Sequence, residues 1–355
     1  MKLILKNTQS PGDVVMLTAA VRDLHAAHPG KFTTDVRTSC PALWEHNPHI
    51  TPIADDDAEA QVIDCKYPLI HRSNVTPHHF IHAFLHDLSE KLGVAIPATE
   101  FKGDIHIADN EKRWMSQVME LTGADTPFWI INAGGKWDYT IKWWHWQRYQ
   151  EVVDHFRGRI VFVQVGEKGH YHPPLNGVID LREKTNLRQL VRLVYHSQGV
   201  LCGVTALMHL AAAVPVRHGR PKSRAGVIIA GGREPSQWEA YPHHQYLHTN
   251  GALRCCDKGG CWKSRTVPLG DGDAKDTSLC LAPVEVSVSD STHPASRYTP
   301  DKLSTNNHLP RCLDMITAAD VIRAIERYYE GGALAYTDTI PQPAAEKPKC
   351  NCVSC

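Results

Sequence analysis

The sequence has no excess of charge of either sign: 38 Lys and Arg are matched by 38 Asp and Glu. Without a sequence-wide positive field, the chain is not built to coat a nucleic acid or an anionic membrane. A long uninterrupted apolar run is also lacking. The most apolar stretch, residues 199–216, holds two glycines, His209 and Pro215, which suits a buried strand followed by a buried helix rather than a membrane span. MKLILKNTQS carries only a three-residue apolar run between lysines, far short of a secretory core segment, so a cytoplasmic protein is expected. Neither a P-loop nor a GxGxxG fingerprint occurs, which removes the usual support for an ATPase or a nicotinamide-dependent dehydrogenase.

What is present is an alternation of strand-like and helix-like segments. KLILK suits a buried strand, and after the turn NTQSPGD the residues Val14, Leu17, Val21 and Leu24 recur on one helical face until Pro29-Gly30 stops it. Strands are predicted over 32–38 and 61–66, and helices over 78–93 and 109–123. A second cycle begins with FWIIN (128–132) and runs through a helix bearing Tyr149, Val152, Val153 and Phe156. Strands at 159–166 and 178–181, a helix from Asn186 to Ser197, then GVLCG, TALMHLAAAV and AGVIIAGG complete it. This rhythm predicts an α/β fold of two doubly wound, Rossmann-like domains facing across a cleft. Their expected extents are 1–124 and 125–330, joined at the turn-rich TGADTP. A cysteine-rich insertion spans 251–312, Thr317 and Asp320 form a capping box for a last helix, and a Pro-rich tail over 331–355 is expected to be disordered.

Domains of this kind bind ligands at the carboxyl ends of their strands. Gly12 and Asp13 stand at the first such end, where Asp13 either caps the helix or serves as a general base. Lys136 and Lys142 lie among tryptophans in the loop that opens the second domain, and a lysine beside a helix N-terminus favours a phosphate. Gly203 and Thr205 open a small-residue helix that includes Ala206 and carries His209. There the hydroxyl and free N–H groups suit a second phosphate oxygen, while a histidine on an apolar helix is also an ordinary core residue.

These segments resemble a known family. GDVVMLTAAVRDLHAAHPG, HNPHI, IKWWHWQRYQEVV, TNLRQLVRLVYHSQGVLCGVTALMHLAAAV and RCLDMITAADVIRAI occur in the order of the signatures of the heptosyltransferase family of GT-B glycosyltransferases. The resemblance implies inverting transfer of a sugar, typically heptose from ADP-heptose, to a glycan or protein hydroxyl, with no metal needed for catalysis. It makes Asp13 the base and Lys142 the neutraliser of the diphosphate, with Gly12, Gly203, Thr205, Ala206 and His209 lining the donor site. Val204 stands where the family carries an acid and Ala206 where it carries glycine. That departure keeps a second reading open, an inactive nucleotide-sugar binding protein.

Eleven cysteines without an export signal point to thiols or metal ligands rather than disulfides. Cys40, Cys65 and Cys202 are scattered singly, as small buried hydrophobes would be. Cys256, Cys261, Cys280 and Cys312 could tether the aperiodic insertion through a structural zinc or iron, with Cys255 an alternative to Cys256. No CxxC pair lies within the insertion. CCDKGGCWKSR beside VTALMHLAAA resembles the branch that glycosylates autotransporter adhesins and holds iron in such an insertion. Homo-oligomerisation stays open.

Overall fold

The computed structural model describes residues 1–217, 221, 223–286 and 308–336. The cysteines at 350, 352 and 355 and most of the expected tail lie outside the described residues. Its opening does not: Leu334 is buried, and its N–H donates to the Tyr328 carbonyl at 2.9 Å.

The first lobe is a three-stranded parallel sheet. β1 (Lys2–Asn7) lies between β2 (Thr33–Thr38) and β3 (Ala60–Asp64). α1 (Pro11–Ala27) and α2 (Phe80–Leu92) pack on each other beside it. The helix expected over 109–123 is two short ones, α3 (Asp109–Lys112) and α4 (Gln117–Thr122). Ser116 interrupts it, its hydroxyl accepting from the Met119 N–H at 3.0 Å as a new N-cap.

The second lobe is a six-stranded sheet. β4 (Phe128–Asn132), β5 (Val161–Gln164), β6 (Ile179–Asp180), β7 (Gly199–Gly203), β8 (Ala225–Gly231) and β9 (His244–His248) stand in the spatial order β6-β5-β4-β7-β8-β9, all parallel. Helices α5 (Trp146–His155), α6 (Leu187–His196), α7 (Ala206–Ala213) and the short α8 (Ser236–Glu239) connect or flank these strands. β10 (Pro283–Glu285) pairs antiparallel with β11 (His308–Pro310), which leads into α9 (Arg311–Asp314) and α10 (Ala318–Glu330). Thr317 and Asp320 form the expected capping box of α10.

Both faces of the larger sheet are buried, as parallel sheets require. Along β4, Phe128 and Ile130 join the core that continues into the first lobe, while Trp129 and Ile131 join a second core under α5 and α10. β7 and β8 divide in the same way, with Val200, Cys202 and Ile228 on one face and Leu201, Val227 and Ile229 on the other. The expected strand and helix within 199–216 are β7 and α7. Among the described residues no helix is long and apolar enough to cross a membrane.

Packing of β7 on β4 leaves no room beside the Trp129 indole. A Cβ at Gly199 would lie 2.6 Å from that ring. Gly199→Ala is therefore expected to cost about 1–3 kcal/mol through overpacking, read as a lower urea midpoint. An unchanged midpoint would refute this account of the β4–β7 contact.

Candidate active site

The order in which strands are added to the large sheet reverses between β4 and β7, and parallel sheets open a crevice at the carboxyl ends of such a strand pair. β4 leads through a loop into the turn Trp137–Lys142, and β7 leads through Val204 and Thr205 into α7. The two loops touch. A Cβ at Gly203 would sit 3.2 Å from the Lys142 carbonyl oxygen, and Lys142 Nζ donates to the Val204 carbonyl at 3.4 Å. Lys142 and Thr205, which lie 63 positions apart in the chain, thus share one crevice.

The first lobe closes the other side. β1 ends at Asn7, and Ser10 begins α1, its N–H donating to Asp13 Oδ2 at 2.9 Å. The cap reading of Asp13 is therefore realised. Opposite it, Lys136 Nζ reaches Ser10 Oγ at 3.3 Å. Burial raises the proton affinity of the Asp13 carboxyl, while the Ser10 N–H and the facing Lys142 and Lys136 ammonium groups pull it down. A half-buried carboxylate facing two cations across the lobes is a group that can accept a proton and return it.

His209 sits beneath this junction, buried. Its Nδ1 lies 2.7 Å from the Tyr241 hydroxyl and its Nε2 3.3 Å from Glu239 Oε2. Burial drives its pKa down to about 3, so the ring is neutral. A Cβ at Gly12 would be 2.9 Å from His209 Cδ2 and 3.8 Å from the Ala206 Cα. Gly12, Ala206 and His209 therefore meet at the seam between α1 and α7. The Thr205 hydroxyl lies beside the buried Cys202 thiol.

Sequence reasoning missed the residues that surround Lys142 from the β8 side. Glu234, 1% exposed, holds Lys142 Nζ at 2.7 Å through Oε1 and pairs with Arg233 through the same oxygen. Burial pushes its carboxyl up, but the Arg233 and Lys142 charges outweigh burial and keep it ionised. Arg233 donates from Nε to the Lys263 carbonyl at 2.6 Å and lies over the rings of Tyr139 and Trp262. Glu239, buried near Glu234, is pushed up to about 8. Three charged residues in REPSQWE, directly after a fully buried strand, were the available signal.

Five cysteines, 255, 256, 261, 280 and 312, line one cavity with Gly232. The β10–β11 pairing sets Cys280 and Cys312 at the same end, where the Arg311 N–H donates to the Ala282 carbonyl at 2.9 Å. Cys261 joins through its N–H to the Gly232 carbonyl at 3.1 Å. Cys256 Sγ would lie 2.9 Å from a Cβ at Gly232, and Cys312 Sγ 3.2 Å from one at Gly231. The Ala282 N–H donates to Cys280 Sγ at 3.4 Å, and the Lys263 and Gly232 N–H groups face the Cys261 and Cys312 sulfurs. Soft sulfur donors supported by backbone N–H groups fit iron or zinc.

Among the described residues no three of these sulfurs lie within 4.8 Å of one another; Glu45, His46 and Glu111 do bring three donor atoms that close. Arg188 already pairs with both of those carboxylates. Cys40, Cys65 and Cys202 are single and buried, as expected.

Residues 57–218 match the family model of glycosyltransferase family 9 (heptosyltransferase). The family 9 glycosyl transferase from Veillonella parvula DSM 2008 is 14% identical at a TM-score of 0.56, the match covering 93% of this chain and 98% of that one. E. coli ADP-heptose LPS heptosyltransferase II is 12% identical at 0.54, covering 94% and 100%. TibC, the iron-containing dodecameric glycosyltransferase from enterotoxigenic E. coli H10407, is 18% identical at 0.55, covering 93% of this chain and 76% of its own. At these identities the likeness is one of fold, and it is the two-lobed GT-B fold expected from the sequence. A comparison with curated protein sequences gives no match.

The buried histidines give the stability a pH dependence. His79 and His172 are held at about 4 and His209 at about 3 by burial, against an ordinary 6.5. The unfolded chain binds these protons first, so their stabilisation is present above pH 6.5 and is lost as pH falls toward 4. Glu239, raised from 4.5 to about 8, works the opposite way but counts once. The urea midpoint is expected to be lower at pH 5 than at pH 7; a midpoint that rises on acidification would show these rings to be charged in the native state.

Proposed function

We propose that the chain is a glycosyltransferase of the heptosyltransferase family, a reading supported by the family match over residues 57–218, and that it moves heptose from ADP-heptose to a hydroxyl acceptor with inversion at the anomeric carbon. The observation that carries this reading is the apposition of Asp13, on the first helix of one lobe, to Lys142 and Thr205 in the strand-reversal crevice of the other. E. coli heptosyltransferase II, which shares the fold, is described as an ADP-heptose enzyme. The acceptor hydroxyl belongs to a protein or to a lipopolysaccharide-type glycan.

In this mechanism Asp13 takes the proton from the acceptor hydroxyl as its oxygen attacks the anomeric carbon. The bond from that carbon to the diphosphate oxygen breaks on the opposite face, and the diphosphate leaves with the bonding pair. Negative charge therefore grows on the leaving group. Lys142 and the free N–H groups at the start of α7, beside Gly203, Thr205 and Ala206, are placed to stabilise it. Gly12 and His209 contribute by contact rather than chemistry, since the missing side chain at 12 lets α1 rest on the imidazole.

Cys256, Cys261, Cys280 and Cys312, with Cys255 able to replace Cys256, would hold a structural iron or zinc. Such an ion would tether residues 251–286 and α9 to the Gly231–Glu234 loop and leave the sugar chemistry to Asp13 and Lys142. TibC, with the same fold, is iron-containing. We place the protein in the cytoplasm, where free thiols persist.

Asp13→Asn is expected to lower kcat by roughly 10²–10⁴-fold, or about 3–5 kcal/mol of barrier, with the fold intact. Lys142→Ala is expected to weaken ADP binding measured by calorimetry. Wild-type turnover in the first variant would remove Asp13 as the base, and a protein that binds ADP-heptose without turning it over would be a binding module. Elemental analysis is expected to find about one iron or zinc per chain, lost in Cys280→Ala and Cys312→Ala; a metal-free wild type would mean the thiols are free.

A further inference from the structure

Lys142 is held at its ammonium by Glu234 and at its backbone by the turn it closes, and one strap, residues 260–266, touches both holds. In its middle the strap runs along the β8 loop. The Cys261 and Trp262 N–H groups donate to the Gly232 and Arg233 carbonyls at 3.1 and 3.0 Å, and Arg233 Nε returns a bond to the Lys263 carbonyl at 2.6 Å. Arg233 pairs with Glu234, which holds Lys142 Nζ at 2.7 Å. At its far end the strap meets the turn Trp137–Lys142 directly. The Ile141 N–H donates to the Ser264 carbonyl at 3.3 Å and the Thr266 N–H to Thr140 Oγ1 at 3.0 Å. Between them the buried Arg265 is fixed by a fork onto Asp271 at 2.7 and 2.9 Å. The strap therefore reaches the ammonium by two routes.

The near end of the strap is gripped by the other lobe. Asn74, which precedes α2, donates from Nδ2 to the Gly260 carbonyl at 2.8 Å, and its Oδ1 accepts from the Gly260 N–H at 2.9 Å and from the Trp262 indole at 3.0 Å. An amide oxygen has two lone pairs, so Oδ1 is fully engaged. Two glycines let the strap pass between the lobes. A Cβ at Gly259 would lie 2.9 Å from Asn74 Cγ, and one at Gly260 2.3 Å from the Arg233 carbonyl oxygen. A side chain at either position would push the strap off one lobe or the other.

Resting on the glycosyltransferase reading, we propose that Asn74 is a positioning residue: acting through the strap 260–266, it sets where Lys142 stands relative to Asp13 and thereby the affinity of the crevice for the diphosphate. Asn74 and Asp13 belong to the same lobe, and Lys142 to the other. A lysine ammonium takes its place from its partners, since its own stem is flexible, and a displacement of about 1 Å originating far from the chemistry is enough to cost affinity and rate. Asn74 is the side chain by which the lobe carrying the proton acceptor reaches the partners of the ammonium. Beside it Gln237 Nε2 donates to the Ser73 carbonyl at 2.8 Å. The lobes thus stay joined when the Asn74 amide is altered, and what that amide adds is placement rather than cohesion.

The test is a double-mutant cycle read by calorimetric binding of ADP to the wild type, Asn74→Asp, Lys142→Ala and the double variant, with melting curves to confirm folding. Asn74→Asp keeps the size and the acceptor oxygen, removes the donor and sets a carboxylate oxygen against the Gly260 carbonyl. It is expected to weaken ADP binding by about three- to tenfold, and only while Lys142 is present. In the Lys142→Ala background the same change should alter the affinity by less than about twofold. A residue that merely supports the fold lowers the melting temperature and costs the same factor in both backgrounds; that additive result overturns the inference. So does wild-type affinity in Asn74→Asp. If Lys142→Ala binds ADP too weakly to measure, the same cycle is read in kcat/KM for ADP-heptose, with the same expected and overturning patterns. Should Asn74→Asp not fold, Trp262→Phe removes the indole donor while keeping a ring under Arg233. Its loss of affinity is expected to depend on Lys142 in the same way, and no loss or an additive one overturns the inference. A wild type that binds neither ADP nor ADP-heptose would instead bring down the glycosyltransferase reading, and this inference with it.

Discussion

The ion pair between Lys142 and Glu234 is the contact on which the arrangement of the crevice depends. A lysine carries its charge on a flexible four-carbon stem, and in open solvent that charge has no fixed position. Here a buried carboxylate at 2.7 Å and the Val204 carbonyl at 3.4 Å hold it over the reversal point of the sheet. Burial of the Glu234 carboxylate makes this pair costly to leave half-satisfied, because losing either partner strands the other charge. Arg233 shares that load, and its guanidinium is itself held between Tyr139, Trp262 and the Lys263 carbonyl.

This hierarchy ties the cysteine cluster to the crevice without giving it a chemical step. Cys261 and Trp262 lie along the backbone of Gly232 and Arg233 through their N–H groups. Asn74 of the first lobe bonds the same turn, donating to the Gly260 carbonyl at 2.8 Å and accepting from the Gly260 N–H and the Trp262 indole. The loop that presents Glu234 is thus clamped from both lobes, and the thiol-lined cavity sits at the base of that clamp.

Much of this was legible in the sequence because parallel strands buried on both faces are continuous apolar runs. FWIIN, GVLCG and AGVIIAGG announce themselves, and their order with the intervening helices gives the carboxyl-end loops where Asp13, Lys142 and Thr205 lie. β9 was not legible: HQYLH is polar and only partly buried at the sheet edge, so it carries no apolar signature. Glu234 escaped for a related reason: its hold on Lys142 joins positions 92 residues apart, a product of three-dimensional closure that spacing along the chain does not encode. The helix over 109–123 was misjudged because its periodicity runs through Ser116, whose capping preference is local and prevails over the pattern.

The contact of Gly12 with the His209 ring makes position 12 a gauge of the spacing between the lobes. A single methyl there works as a shim thicker than the gap it would enter. Because α1 carries Asp13 on its next residue, any such wedge pushes the proton acceptor away from α7. The closeness of the two helices is therefore set by the absence of one carbon atom, before either charged side chain is considered.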